Sequence, residues 1–290
     1  MASKKRSVKR QDQIEGSKLS YNVSEQEHYS SEMRSLFSKL IDETEKQVYA
    51  LFRKDATKDY IEEFNKVEDA SVTSEFTRIF NRLTKFFNPF FSKKAQEMAE
   101  RMVNQTLKYS KSSLNFSLND AAEGVSINVK EMSPVLREII KASVKENVGL
   151  ITSLQKSYLD DVNKTVNRAI TQGQGLKDIQ EYLGGKLGES NQVPLNEKVL
   201  RHAKNMALDQ TRKVYNNVNA ERMKSSGIKK FIWLHSGGGQ HPRPDHVAMN
   251  GKEYSFDDLP VIDRNTGERG IPGQAINCKC TMKPVIDFGD

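Results

Sequence analysis

The chain has 290 residues, of which 36% are hydrophobic and 29% charged; its mean hydropathy is -0.68 and its net charge +7. No apolar run approaches the ~20 residues a membrane-spanning helix needs, and the basic start Met1–Arg10 lacks the apolar core of a secretory signal. Two cysteines without such a signal indicate a reducing compartment. The length suits about two domains. Low hydrophobicity with many charges favours long, surface-rich helices over one large core. From Ile228 onward eight Lys/Arg balance eight Asp/Glu, so the positive excess lies upstream, much of it in the first ten residues.

In chain order, residues 1–23 are basic, polar and aperiodic, which predicts a disordered tail. Its Lys4, Lys5, Arg6, Lys9 and Arg10 form a candidate contact for DNA or an acidic scaffold, of the salt-dependent, sequence-independent kind. Ser24-Glu25-Gln26-Glu27 reads as a capping box that opens a helix. A second helix is predicted over Val72–Phe87, ended by Asn88-Pro89, and a third over Phe91–Tyr109. Leu114–Lys130 alternates enough to suggest a hairpin or an extended linker. Ser133-Pro134 supplies an N-cap and a first-turn proline. A helical stripe then runs from Ile140 to Ile170 and stops at Gly173-Gln174-Gly175. A short helix over Leu176–Leu183 ends at Gly184-Gly185. Pro194 opens a last helix, which Gly227 closes. Within it Asp209-Gln210-Thr211-Arg212 are four polar residues in a row, and a turn of 3.6 residues must point some of them inward.

After Gly227 the pattern changes. Lys230–Leu234, Glu253–Phe256 and Thr281–Val285 are strand candidates, and Asn250-Gly251 is a turn signal. The fold class is therefore mainly α: an elongated helical body over 24–194, then a C-terminal segment, 195–290. That segment comprises a lead-in helix, 195–226, and a small α+β, β-rich module, 227–290. The module holds the one tryptophan, both cysteines and three of the five histidines. Residues i and i+2 of an extended segment face one way, so Cys278 and Cys280 can approach one point. His241 and His246 could complete a four-ligand zinc set with them. Close packing of two small thiols is the other reading. Asp245, His246 and Asn277 with the cysteines faintly suggest a metal-dependent, HNH-like nuclease or hydrolase, but the paired C-x2-C knuckles are missing. Ser236, His241 and Asp245 lack the strand-turn-helix elbow of a serine hydrolase, and Gly237-Gly238-Gly239 lacks the Lys-Ser/Thr of a phosphate loop. No catalytic residue is assigned, and an enzyme is not expected.

The ordered set Trp233, His235, Arg243, His246, Asn250, Gly251, Pro272, Gly273, Asn277, Cys278 and Cys280 resembles the C-terminal domain of phage Mu F-like head morphogenesis proteins, the minor head proteins of tailed bacteriophages. The likeness covers about residues 195–286. Many relatives carry an Asp shortly before the Arg and His, where this chain has Gly239. The resemblance implies a structural virion component at the head interior or portal vertex, made in the host bacterial cytoplasm. It implies a role in procapsid assembly, DNA packaging or ejection. Its partners would be the portal protein, capsid or scaffold proteins and packaged phage DNA, with no membrane in the assembled head. A structural zinc is the one candidate cofactor.

Overall fold

The computed structural model describes residues 13–54, 70–121, 129, 132–184, 193–238 and 242–287. The chain forms two compact units, each built from separated segments. One takes residues 24–102 and 143–208, the other residues 1–23, 103–142 and 209–290. The fold is mainly α, with a small β-rich C-terminal region. Residues 1–12, with the basic cluster Lys4 to Arg10, lie outside the described residues.

The first unit is helical. Helix α1, Val23–Lys54, begins one residue before Ser24, so Ser24 sits in its first turn and is not the cap. It buries Tyr29, Met33, Leu36, Phe37 and Leu40, a run in steps of three and four. Helix α2, Ala70–Ala121, is one continuous helix through Pro89, where the sequence predicts a break. An interior proline costs about 3 kcal/mol. Phe76, Ile79, Leu83, Phe87 and Phe91 are all buried on one stripe that crosses it, and burying each contributes ~1.5–3 kcal/mol. Continuing the helix therefore outweighs the lost hydrogen bond. Phe91 meets Phe37 edge to face at 5.2 Å. Arg101 pairs with Glu25 at 3.0 Å and with Glu32.

The hairpin or linker expected from Leu114 is in part the end of α2. Leu114 and Leu118 are buried while Phe116 is 69% exposed. Those spacings fit four-residue helical steps, and the apparent alternation came from one outward phenylalanine. Residues 122–128 of that segment lie outside the described residues.

Helix α3, Pro134–Thr171, starts as predicted. Ser133 Oγ accepts from the Leu136 N–H at 2.9 Å, the N-cap bond. Its buried face keeps Ile151, Tyr158, Val162 and Val166 of the expected stripe and differs from it elsewhere. Ser143, Asn147, Ile151, Gln155 and Tyr158 point inward, and Val144, Val148 and Leu154 are only half-buried. The polar members are satisfied: Tyr29 Oη donates to Asn147 Oδ1 at 3.0 Å, Asn147 Nδ2 to the Ser143 carbonyl at 2.8 Å, and Gln155 Nε2 to Asn88 Oδ1 at 3.1 Å. Hydrogen bonding thus replaces apolar burial along half of this face. The helix ends at Gly173, φ +64, with the Gln174 N–H on the Ala169 carbonyl. Helix α4, Leu176–Gly184, follows.

Helix α5, Leu195–Ser225, contributes to both units. It closes on Gly227, φ +85, whose N–H meets the Lys224 carbonyl while the Ile228 N–H meets that of Met223. This is the paired bonding of a glycine-terminated helix.

The second unit carries a four-stranded antiparallel sheet in the order β1-β6-β2-β3, with β1 Gln13–Glu15, β2 Lys230–Leu234, β3 Glu253–Ser255 and β6 Thr281–Asp287. A separate hairpin joins β4, Val261–Asp263, to β5, Glu268–Arg269, and a short helix, α6, spans Pro244–Ala248. The three predicted strands are present. Strand β1 corrects the expectation of a disordered tail: Ile14 pairs with Ile286, and Leu19 is fully buried. Two buried rows explain this. Leu19, Phe231, Trp233, Met282 and Ile286 share one core with Tyr215 and Met223 of α5 and Leu114 and Leu118 of α2. Of the inward residues expected in α5, Gln210 and Thr211 are buried.

Exposed Pro89 makes the continuity of α2 testable. Pro89→Ala is expected to raise stability by about 2 kcal/mol, the ~3 kcal/mol interior penalty less the ~0.4–1 kcal/mol by which proline restricts the unfolded chain. Urea denaturation measures it, and a lowered midpoint would show that the proline ends the helix in solution.

Candidate metal centre

The site is built from β2, α6 and the turn that leads into β6. Trp233 of β2 is fully buried. Its ring stands nearly perpendicular to the His246 imidazole, 5.2 Å between centroids. Helix α6 follows Arg243 with Pro244 in its first turn, which fixes φ where no N–H is needed. His246 lies in that helix, 3% exposed. Its Nε2 is 3.1 Å from the Ile262 carbonyl in β4. A carbonyl only accepts, so Nε2 carries the proton and Nδ1 is left to the other side.

That other side is sulfur. Cys278 Sγ is 3.4 Å and Cys280 Sγ 3.7 Å from His246 Nδ1. Both cysteines are free and buried, and the three donor atoms lie within 4.8 Å of one another. The convergence of Cys278, Cys280 and His246 follows the sequence expectation. His241, the fourth expected ligand, lies outside the described residues.

The turn holding the cysteines is tightly shaped. Gly273 has φ +83, and a Cβ there would run into Asn216 Nδ2, so the position demands glycine on two grounds. Asn277 has φ +59, the one positive-φ residue other than glycine among those described. Its N–H donates to Asp209 Oδ1 at 2.5 Å. Arg243 Nη2 donates to the Ile276 carbonyl at 2.9 Å, and the Cys278 N–H to that of Ala275 at 2.9 Å. The Cys280 carbonyl accepts from Tyr21 Oη, and from Asn216 Nδ2 at 3.3 Å. Tyr21, Asn216 and Asp209 are thus the residues that hold this turn. Sequence reading placed Tyr21 in the tail, and only the polar run at Asp209 gave a signal.

Remaining motif residues are structural here. The His235 N–H donates to Asn250 Oδ1 at 2.9 Å, and His235 Nδ1 accepts from the Gly237 N–H at 3.1 Å. Gly251, φ +76, donates its N–H to the Trp233 carbonyl at 2.8 Å. Pro272 is buried beside Gly273. Asp245 pairs with Arg264 at 2.7 Å.

The electrostatics separate the two thiols. Hydrogen bonding from Cys280 lowers the pKa of Cys278 against the opposing effect of burial, and His246 adds to the lowering. Cys280 is raised, first because it is bonded to Cys278 and then by burial. His246 is raised, chiefly by its hydrogen bond with Cys278. The Trp233 indole N–H favours negative charge on Cys280, although it makes no hydrogen bond of normal geometry.

Residues 160–283 match the family model described as Phage Mu protein F like protein. That region is similar to the Mu F-like family. The match includes all three donors of the site and reaches upstream of the expected residue 195 into α3 and α4. A Haemophilus influenzae relative, described as an uncharacterized protein, is 28% identical over 155 residues, which are 53% of this chain and 31% of that protein. The aligned stretch is thus about a third of that relative's length. No solved structure matches.

Asp209 gives a test of the turn. Burial raises its carboxyl pKa, opposed by the Asn277 N–H and by Lys213 and Arg212. Asp209→Ala leaves the Asn277 N–H without its acceptor and is expected to cost about 1–2 kcal/mol. Asp209→Asn keeps an oxygen acceptor and is expected to cost less. A carboxyl that ionises later when folded makes stability fall as pH rises from its unfolded to its folded pKa. Asp209→Asn should remove that slope, as read from urea midpoints across acidic pH.

Proposed function

We propose that this chain is a minor head protein of a tailed bacteriophage, a structural and assembly component and not an enzyme. The observation that carries the reading is the Mu F-like match over residues 160–283. It covers most of the β-rich module and all three donors of the site. On this reading the protein is made in the host cytoplasm and enters the head, at its interior or at the portal vertex. It contacts portal, capsid or scaffold proteins and acts in procapsid assembly, DNA packaging or ejection. No helix among the described residues is long and apolar enough to cross a membrane.

The competing reading is an HNH-like nuclease or hydrolase. Burial argues against it: His246, Cys278 and Cys280 are each at most 3% exposed. A phosphodiester must reach the reacting groups for metal-assisted hydrolysis, and these donors face a core. Asp245 is engaged with Arg264, and the Asn277 backbone with Asp209.

Two measurements test the proposal. In a phage that encodes the chain, purified heads should contain the protein at low copy. A nonsense mutation in its gene should lower the yield of infectious, DNA-filled heads, while purified protein leaves plasmid DNA intact with added divalent metal. Absence from heads together with plasmid cleavage would sink the reading. For the basic segment Lys4, Lys5, Arg6, Lys9 and Arg10, deletion of residues 2–10 should weaken retention on DNA at low salt and make no difference at high salt. Equal retention at low salt would remove the DNA contact.

A further inference from the structure

We propose that Cys278 Sγ, Cys280 Sγ and His246 Nδ1 are three ligands of a buried structural zinc ion that fastens the turn before β6 to helix α6. The proposal does not depend on the viral reading above.

Geometry is the first argument. Zinc bonds of about 2.3 Å to sulfur and 2.0–2.1 Å to nitrogen, at tetrahedral angles, place S and N about 3.6 Å apart. The observed separations, 3.4 and 3.7 Å, bracket that value. The three donors form a compact set within 4.8 Å, and among the described residues no further His, Cys, Asp or Glu joins it. The fourth coordination position therefore belongs to a nitrogen or oxygen donor outside this set.

Hydrogen-bond accounting is the second argument. With Nε2 committed to Ile262, His246 Nδ1 offers a single lone pair. Two thiols stand within reach of it. Only one can donate to it, and the other is left with the neighbouring sulfur, a weak acceptor. A divalent ion replaces both thiol protons, binds both thiolates and takes the same lone pair. Every member of the cluster is then satisfied.

Surroundings are the third. A ligating histidine characteristically gives its other N–H to a carbonyl or carboxylate, which fixes its tautomer and orientation. The Nε2 contact to Ile262 does this. Neighbouring backbone groups favour negative charge on the sulfurs, those of Gly273 and Cys280 on Cys278 and that of Ser236 on Cys280. Such groups stabilise sulfur as an anion, which is the form a metal binds. Two thiolates and an imidazole suit zinc better than the hard cations, which prefer oxygen. Complete burial leaves no approach for a substrate, so the role is structural.

The test uses the full chain expressed with zinc in the medium. Elemental analysis should find one equivalent of zinc. Cobalt exchanged into the site should show sulfur-to-metal charge-transfer absorption with the intense visible bands of a tetrahedral ion. Cys278→Ser, Cys280→Ser and His246→Gln should each bring zinc to background, while His235→Ala keeps it. If those variants fail to fold, the wild-type protein still decides the matter. Its two thiols should resist a thiol reagent until a chelator is added, and the chelator should lower the melting temperature. Folded wild-type protein that takes up neither zinc nor cobalt, with thiol reactivity indifferent to chelator, would overturn the assignment. Zinc retained in both cysteine variants would overturn it equally.

Discussion

Both nitrogens of the His246 ring are committed, and most of the module's local geometry follows from that. Nε2 holds the Ile262 carbonyl and so anchors β4; Nδ1 faces the two cysteine sulfurs, and its one lone pair ties the ring to the approach to β6. The ring itself is braced edge-on by Trp233 from β2. A single side chain thereby links β2, β4 and the approach to β6, and β4 is strand-paired with neither of the other two. A planar ring with two fixed directions cannot move toward one partner without leaving the other. The turn can then be irregular, with positive φ at Gly273 and Asn277, because its ends are fixed by more than backbone hydrogen bonds.

The outer supports of this turn come from far along the sequence. Tyr21 and Asn216 converge on the Cys280 carbonyl, and Asp209 on the Asn277 N–H. Asn216 also fills the space that any side chain at position 273 would need. The helix before the sheet and the segment before α1 thus act together on one short loop. Buried polar groups of this kind contribute more to uniqueness than to raw stability, since each has one geometry in which it is satisfied.

Much of this was legible before the structure, and the failures have physical causes. Of the signals that act within one turn of chain, the Ser133 cap, the stops at Gly173 and Gly227 and the alternating strands of the module hold, while the Ser24 capping box lies inside the helix it is expected to open. The convergence of Cys278, Cys280 and His246 was also visible, because soft ligands are few and the turns between them fold the chain back. Strand β1 was invisible because three residues carry no pattern, and only the partner β6 makes Gln13–Glu15 a strand. Pro89 misled because a local penalty was weighed without the five buried residues that cross it. Leu114 and Leu118 misled because Phe116 between them is exposed, so hydrophobicity alone imitated alternation. Along α3 the inward row includes Ser143, Asn147 and Gln155, and a stripe drawn from apolar residues cannot find a face that is held by amide hydrogen bonds.

Strand β6 sits between β1 and β2, so its two neighbours come from opposite ends of the described chain. Gln13 meets Asp287 across 274 positions. Closing so long a loop costs entropy that contacts repay only after the strand is in place. During synthesis the Gln13–Glu15 segment emerges early and has no sheet to join until the Thr281–Asp287 segment has left the ribosome. The order of manufacture and the order of assembly are therefore reversed at this edge. The helices, whose contacts are mostly nearer in sequence, can form while the chain is still being made, and the sheet is the part that must wait for its last strand.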